Sequence, residues 1–382
     1  MQISRRSAID PFIVMDVMEA ARALEVEGRS IVHMEVGQPS TPAPANARAA
    51  LAQAMEAGPL GYTVALGLPA LREGIAALYR DWYGLTVSPE RIIVTAGASG
   101  AFLLAFTALF DAGAKVGLAA PGYPSYRKIL SAMSLTPRII TGHAEHGFQP
   151  QPGDVAGLDG LIAASPANPT GTMLSKEDLA ALAAACAASG CAFISDEIYH
   201  GISYGTRCVS ALEVTDACYV INSFSKYFSM TGWRVGWMVV PEDHVRVVER
   251  LAQNMFICPT HASQVAALAA LDARDELDGH LKTYAANRAI LLEGLRAADI
   301  PVISPADGAF YIYLDVSRFT SDSKALAADI LHRAGVAVTP GLDFDADRGA
   351  GTLRLSYARA TSEIEEGLER LTRYFAELPA VT

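Results

Sequence analysis

The stretch Ser223-Phe224-Ser225-Lys226-Tyr227-Phe228-Ser229-Met230-Thr231-Gly232-Trp233-Arg234-Val235-Gly236 decides the reading of this chain. Just ahead of it, Cys218 to Ile221 forms an apolar run with the composition of a buried strand. A lysine held beside such a strand loses solvation, which disfavours its charged form and leaves the amine nucleophilic. That is the requirement for a Schiff-base lysine. Most loop lysines are solvated surface residues, so S-x-S-K alone is a weak signal. It is sharpened by Arg234, eight residues further on, with Gly232 and Gly236 on either side. Cations wrapped in glycine and hydroxyl groups make a poor core and a good anion site.

Outward from this stretch, short β-branched runs alternate with alanine- and leucine-rich segments. Strands are expected at 92–95, 115–119, 138–140, 161–164, 192–195, 219–221 and 235–240, with helices over 99–110, 126–133 and 176–188 between them. This alternation predicts an α/β fold with a mainly parallel central sheet flanked by helices. In such sheets ligands bind outside the carboxyl ends of the strands. A long helix over 275–298 then leaves the core. Strands at 309–314 and 352–356 and helices over 323–334 and 361–376 make a smaller α+β domain. The expected organisation is a large domain over 41–276, a small C-terminal domain over 277–382, and an N-terminal segment, 1–40, that packs with the small domain.

Composition narrows the function. The chain has 382 residues and is 51% hydrophobic, enough for a large core. A formal net charge of −11 argues against nucleic acid as a partner. The five cysteines, an odd number, fit neither a disulfide framework nor a zinc site, and a reduced, cytoplasmic location is expected. The first residues lack the apolar core and cleavage site of a secretory leader, and no apolar run is long enough to span a bilayer.

Several residues at strand ends carry chemistry. Ala96-Gly97-Ala98-Ser99-Gly100-Ala101 lies between a strand and a helix, where small residues let backbone N–H groups approach a phosphate; a plain tight turn has the same composition. Asp196 follows the strand at 192–195 and reads as a helix cap or a catalytic carboxylate. Against a pyridine nitrogen such a carboxylate keeps that nitrogen protonated and the ring an electron sink. Tyr199 would donate to a ring phenolate. Ser165-Pro166-Ala167-Asn168-Pro169 is a loop whose Asn168 amide is a fixed donor or simply part of a turn. Arg354 sits in the apolar run Leu353-Arg354-Leu355, either on a solvent edge or turned inward to clamp a carboxylate; alternation allows both. His143 and His146 read as a solvated loop, His200 as structural, and Cys258 and His261 as packing and capping residues. No metal site is expected.

Together these residues resemble the class I/II aminotransferases, the fold-type I family that uses pyridoxal 5′-phosphate. The similarity runs from Gly37-Gln38-Pro39 to Arg354, with five motifs in the family's order. It implies that Lys226 carries the cofactor as an imine, that Asp196 pairs with the pyridinium nitrogen, and that Tyr199 and Asn168 reach the phenolate. It further implies that Tyr123 stacks on the ring, that Ala98, Ser99, Ser223 and Arg234 bind the phosphate, and that Tyr62 reaches the phosphate of the other subunit of a homodimer. Arg354, with the Gly37 backbone, would take the substrate carboxylate. The sequence departs from relatives that accept acidic side chains in lacking a basic residue around Ser99, which weighs against a dicarboxylate substrate. Ser229, where the family often has a smaller residue, is a harmless change. The expected activity is transfer of an amino group from an L-amino acid to a 2-oxo acid. The rivals are a C–S β-lyase on the same fold and, further off, a cofactor-sensing regulator, for which this acidic chain has no evident DNA-binding segment.

Overall fold

The computed structural model describes residues 1–378. In chain order its first elements are α1 (Ile13–Val26), β1 (Val32–His33), α2 (Ala45–Ala57), α3 (Pro69–Tyr83), β2 (Ile92–Thr95), α4 (Gly97–Leu109), β3 (Lys115–Ala120), α5 (Pro124–Ala132) and β4 (Thr136–Thr141). The middle of the chain holds β5 (Gly160–Ala164), α6 (Lys176–Ser189), β6 (Ala192–Asp196), β7 (Tyr219–Ser223), β8 (Gly236–Val239), α7 (Val245–Met255), α8 (His261–Ala270) and α9 (Arg274–Ala297). The last elements are β9 (Tyr311–Asp315), α10 (Ser323–Ala334), β10 (Val336–Ala337), β11 (Thr339–Pro340), β12 (Thr352–Ser356) and α11 (Thr361–Ala376).

Seven strands form one sheet in the order β2-β8-β7-β6-β5-β3-β4. Strand β8 runs antiparallel to both its neighbours, and the other pairs are parallel. Apart from the edge strand β4, which leaves Arg138 and Ile139 exposed, the strands are short, apolar and largely buried on both faces, as a covered parallel sheet demands. Alternate residues feed two cores. Val94, Leu161, Phe193, Val220 and Trp237 face the side covered by α3, α6 and α8. Ile93, Ile162, Ile194, Ile221 and Met238 face α4, α5 and α7.

Chain direction places the chemistry. The parallel strands all end at one edge, so the segments after β2, β3, β5, β6 and β7 converge there. Strand β8 enters where its neighbours leave: Gly236 pairs with both Thr95 and Ser223. One reversed strand therefore delivers Arg234 to the edge that carries Lys226.

The remaining strands form a three-stranded antiparallel sheet, β11-β12-β9, and a parallel pair, β1-β10, in which Val32 meets Val336 and His33 meets Ala337. Ala21 and Leu24 of α1 pack on Leu331 and Ala337. Among the described residues no helix is long and apolar enough to cross a membrane.

Some element ends differ from expectation for local reasons. Strand β9 starts at Tyr311 rather than at Ala309, because Ala309 has φ of 58° and leaves extended geometry. Likewise β8 starts at Gly236, since Arg234 has φ of 52°. Helix α4 begins at Gly97, whose φ of 69° makes the turn from β2, and α5 begins at Pro124, a residue suited to a first helical turn.

The two glycines flanking Arg234 have different jobs. A Cβ on Gly236 would lie 2.8 Å from the Asn222 carbonyl oxygen and 3.0 Å from the Gly97 carbonyl carbon, both fixed backbone, whereas one on Gly232 meets nothing within 4 Å. Gly236→Ala is expected to cost about 1–3 kcal/mol of overpacking. Gly232→Ala should stay within about 0.5 kcal/mol of wild type. Urea midpoints of the two variants, measured side by side, check this.

Candidate active site

At the shared edge the Lys226 side chain is buried, and its Nζ donates to the Gly37 carbonyl oxygen at 2.5 Å. This contact joins residues 189 apart in sequence. Burial first, and then the positive Arg354 and Arg234 side chains, bring the amine's pKa down to about 7, with Asp196 opposing them. The amine thus has a large free-base fraction near neutrality, the form that attacks a carbonyl.

Asp196, at the end of β6, is 4% exposed. On the same sheet face stands α5, and its Tyr126 hydroxyl donates to Asp196 Oδ2. The Ile198 N–H donates to Oδ1 at 3.0 Å. Burial raises the Asp196 pKa to about 6, while Tyr126, Ile198 and Lys226 hold it down. The carboxylate remains ionised at neutral pH and can face a cation. Tyr123, at the N-terminal cap of α5, packs edge-on against Tyr126 at 5.2 Å and against Phe12 at 6.0 Å.

Arg354 resolves the ambiguity of its strand: it points inward and is 3% exposed. Its Nη1 donates to Asn168 Oδ1 at 2.9 Å, and its Nη2 donates to the Glu35 carbonyl and, at 3.2 Å, to Thr339 Oγ1. The guanidinium lies over the rings of Tyr311 and Phe344, 4.3 and 4.7 Å from their centroids. Its buried Nε has no hydrogen-bond partner. Tyr199 Oη is 2.7 Å from Tyr311 Oη, and burial drives its pKa well up, so it stays protonated.

The anion cradle is built from β2, β7 and β8. Gly97 is favoured as glycine by its φ of 69°, and a Cβ there would also lie 2.5 Å from Arg234 Nη2, the movable end of that side chain. Arg234 is solvent-facing and donates from Nη1 to the Thr231 carbonyl at 3.0 Å. Ala98 is buried and Ser99 exposed in the first turn of α4. Ser223 is turned inward; its Oγ donates to the Val235 carbonyl at 3.0 Å and lies 2.9 Å from Ser225 Oγ. The same Oγ accepts from the Ser225 N–H at 3.1 Å.

Tyr62 stands apart from this cluster and is 83% exposed. The segment carrying it is tied down by the two residues read as bland. The Thr63 N–H donates to Cys258 Sγ at 3.4 Å, and His261 Nδ1 donates to the Gly61 carbonyl at 2.9 Å.

Tyr126, Tyr311, Phe344 and Ser225 also belong to this cluster, and sequence reasoning assigned none of them a part. Ser225 was visible inside the lysine motif. The others carry no local signal, because what makes them matter is a partner far along the chain.

Comparison with known proteins decides the family. The model for aminotransferase class I and II matches residues 29–371. The chain belongs to the class I and II aminotransferases. It is similar to a valine–pyruvate aminotransferase of Mycobacterium tuberculosis, 47% identical over 97% of each chain. A crystal structure of an aminotransferase from the same organism superposes with a TM-score of 0.96 at 46% identity, covering 98% of this chain and 99% of that one. An aspartate aminotransferase from Thermus thermophilus, crystallised with maleate, superposes with a TM-score of 0.91 at 32% identity over 98% and 99%. This aminotransferase is a transaminase dependent on pyridoxal 5′-phosphate, and the expected mainly parallel α/β fold is the fold observed.

The residues fit that cofactor. A lysine amine freed of its proton, a carboxylate kept ionised and a guanidinium filling the space a Gly97 Cβ would need are the donor set that an aldehyde, a pyridine nitrogen and a phosphate require.

A pH dependence follows from the lowered Lys226 pKa. If Lys226 carries the cofactor, recapture of pyridoxal phosphate by the cofactor-free enzyme should accelerate as pH rises and level off above about pH 7, because only the free-base amine attacks the aldehyde. Stopped-flow absorbance across a pH series spanning that value reads the midpoint. An ordinary lysine value, near ~10.4, would contradict the burial argument.

Proposed function

We propose that Lys226 is the cofactor-bearing lysine and that this transaminase takes its amino group from a small aliphatic monocarboxylic L-amino acid, with pyruvate as acceptor. The observation that carries this reading is the charge inventory around Lys226: Arg354, Arg234 and Asp196 are the charged groups that bear on its amine. Arg234 lies against the phosphate turn and Asp196 against the ring position. That leaves Arg354 alone for a substrate carboxylate. The first turn of α4 offers Ala98 and Ser99, not a cation. Lys128, the nearest lysine along α5, is engaged by the Pro11 carbonyl at 2.6 Å and by Asp343 at 3.4 Å. Among the described residues Arg354 and Arg234 are the cations that bear on the Lys226 amine, so a second substrate carboxylate would compete with the phosphate for Arg234 or go unpaired, and an unpaired buried charge is costly. The name of the Mycobacterium tuberculosis relative, a valine–pyruvate enzyme, points the same way.

When bound, pyridoxal phosphate supplies a protonated ring that withdraws electrons from the substrate α-carbon. Asp196 holds the charge on that ring. Arg354 and Asn168 orient the α-carboxylate, fixing which bond at the α-carbon is broken. Lys226 Nζ, as a free amine beside the substrate, would take the α-proton as general base, a role typically worth ~10²–10⁴-fold. Tyr199 and Asn168 would donate to the ring oxygen, Ala98, Ser99, Ser223 and Arg234 would hold the phosphate, and Tyr123 would stack on the ring. The Gly37 backbone completes the carboxylate site.

We also infer a cytoplasmic homodimer with shared active sites. Tyr62, Val64, Met255 and Ile257 are exposed on two segments joined by the Thr63–Cys258 contact, an apolar patch suited to a second copy. Tyr62 would then reach the partner's phosphate. The domain limits at residues 40 and 276 belong to the same reading, and the β1-β10 pairing supports grouping the N-terminal segment with the C-terminal unit.

Borohydride reduction and peptide mapping should place the cofactor on the Lys226 peptide, and Lys226→Ala should lack transaminase turnover. Label on another lysine would end this assignment. In a donor panel with pyruvate, kcat/KM for L-valine should exceed that for L-aspartate by at least ~10-fold, since an unpaired carboxylate costs more than one hydrogen bond. Aspartate matching valine would reverse the substrate reading. Arg354→Leu should lower kcat/KM for every amino donor by ~10²-fold or more, with the loss mainly in KM.

A further inference from the structure

Glu197 follows Asp196 directly, and strand alternation turns it to the opposite face of the sheet, where it is 1% exposed. Its Oε1 accepts three hydrogen bonds, from the Ala211 N–H at 2.7 Å, Ser210 Oγ at 3.0 Å and Ser195 Oγ at 3.1 Å. Its Oε2 is buried with no hydrogen-bond partner and lies 3.5 Å from His200 Nδ1. His200, also 1% exposed, reaches two groups. Its Nε2 is 2.9 Å from the Ser165 carbonyl, and its Nδ1 is 2.6 Å from Tyr83 Oη.

The proton positions follow by elimination. A carbonyl oxygen only accepts, so His200 Nε2 carries the hydrogen. In a neutral imidazole Nδ1 then accepts the Tyr83 hydroxyl. An ionised Glu197 would set a bare Oε2 against a bare Nδ1 in a dry interior, an arrangement that costs free energy. A proton on Oε2 removes this repulsion and leaves the Glu197 hydroxyl facing Nδ1 at 3.5 Å, behind the closer Tyr83 hydroxyl. Burial works in the same direction on both residues. It pushes Glu197 up to about 8 despite its three donors, and it pushes His200 down to about 3. The charged and titratable neighbours do not reverse this. Asp196 and Glu213 are acidic, and Arg207 is paired with Glu213 at 2.7 Å. Tyr79, Tyr83, Cys208 and Cys218 are all raised by burial and stay neutral.

Ser165 opens the loop that carries Asn168, and Asn168 is the residue that touches Arg354. The Ser165 N–H donates to the Asp196 carbonyl at 3.2 Å, and its Oγ accepts from the Leu174 N–H at 2.9 Å. His200 supplies the hydrogen bond to its carbonyl.

We propose that Glu197, as a carboxylic acid, forms with His200 and Tyr83 a buried, net-neutral network that positions the Ser165–Asn168 loop and with it the Asn168 amide. These are positioning residues; none of them faces the reacting atoms. The inference rests on the placement of Asn168 in the proposed site.

The test uses holoenzyme. His200→Leu removes the donor to Ser165 and should raise KM for the amino donor about 3- to 10-fold, the value of one hydrogen bond. It should also raise the pH midpoint of the visible cofactor absorbance, because a displaced Asn168 no longer competes for the ring oxygen. His200→Gln, which restores an N–H at the Nε2 position, should recover most of both. Glu197→Gln, neutral and of the same shape, should stay within about 3-fold of wild type. The wild-type-minus-Glu197→Gln infrared difference at about pH 7, below the raised Glu197 pKa, should contain a protonated carboxyl band. Should His200→Leu fail to fold, Tyr83→Phe probes the same network: it frees Nδ1 for the Glu197 hydroxyl and should shift that band. The network is refuted by an absent band, by a band that Tyr83→Phe leaves in place, by unchanged KM and midpoint in His200→Leu, or by a Glu197→Gln variant as impaired as His200→Leu. A wild-type enzyme whose cofactor absorbance does not respond to Asn168→Ala would refute the placement of Asn168 instead, and the infrared result would stand apart from it.

Discussion

Burying the Lys226 amine is the constraint from which the rest of this structure follows. An ammonium in a dry interior is expensive, and here two guanidiniums bear on it against a single carboxylate. The balance favours the neutral amine and leaves the surroundings in need of anions. In the proposed site a phosphate and a substrate carboxylate would meet that need, one at each arginine. The fold supplies the arginines from unrelated directions. Arg234 arrives because β8 alone runs against its neighbours, so its start lies beside the ends of β2 and β7. Arg354 arrives from β12 of the smaller sheet, held inward by stacking on Tyr311 and Phe344. The Gly37 carbonyl, on the segment after β1, accepts from the amine itself. The amine is thus the point where the large sheet, the small sheet and the N-terminal segment meet.

Much of this was legible in the sequence, because a parallel sheet converts chain order into position. Once apolar runs alternating with helices imply such a sheet, whatever follows each run lies at one edge. Asp196, Asn168, Tyr123, Ser99 and Lys226 could therefore be grouped without coordinates. Arg354 could be named but not oriented, since alternation within an apolar strand permits either face. Tyr126 and Tyr311 were not legible. Their value lies in contacts with Asp196 and Tyr199, 70 and 112 residues away, and no local pattern encodes a contact at that distance. Element ends were missed where a single residue takes a left-handed conformation, as Ala309 and Arg234 do.

The fold alone does not select the substrate. An aspartate aminotransferase crystallised with maleate and this chain share the architecture at a TM-score of 0.91. What separates members of such a family is the charge on a few side chains around a shared frame. In this chain the first turn of α4 is the telling place. Gly97 is held as glycine by its φ of 69°, Ala98 is buried, and Ser99 is the first side chain free to vary. A cation there would extend the field of Arg234; a hydroxyl leaves Arg354 as the one carboxylate anchor.

Adjacent carboxylates at the end of β6 show how finely a strand can divide labour. Asp196 and Glu197 are neighbours in sequence and both dry, yet their environments differ because alternation sends them to opposite faces. Asp196 meets a hydroxyl donor, a backbone N–H and the field of Lys226, and its pKa settles at about 6. Glu197 accepts from Ala211, Ser210 and Ser195, yet burial, with Asp196 adding to it, outweighs these donors and its pKa settles at about 8. At neutral pH one is therefore an anion and the other an acid. Two ionised carboxylates so close would repel each other and raise both pKa values, weakening the charge that a pyridinium needs. Keeping Glu197 neutral lets Asp196 hold its charge, while the Glu197 side of the strand is free to brace the loop that carries Asn168. In the proposed site, the charge on Asp196 and the placement of the Asn168 amide would thus both trace to two adjacent residues at the end of β6, one on each face of the sheet.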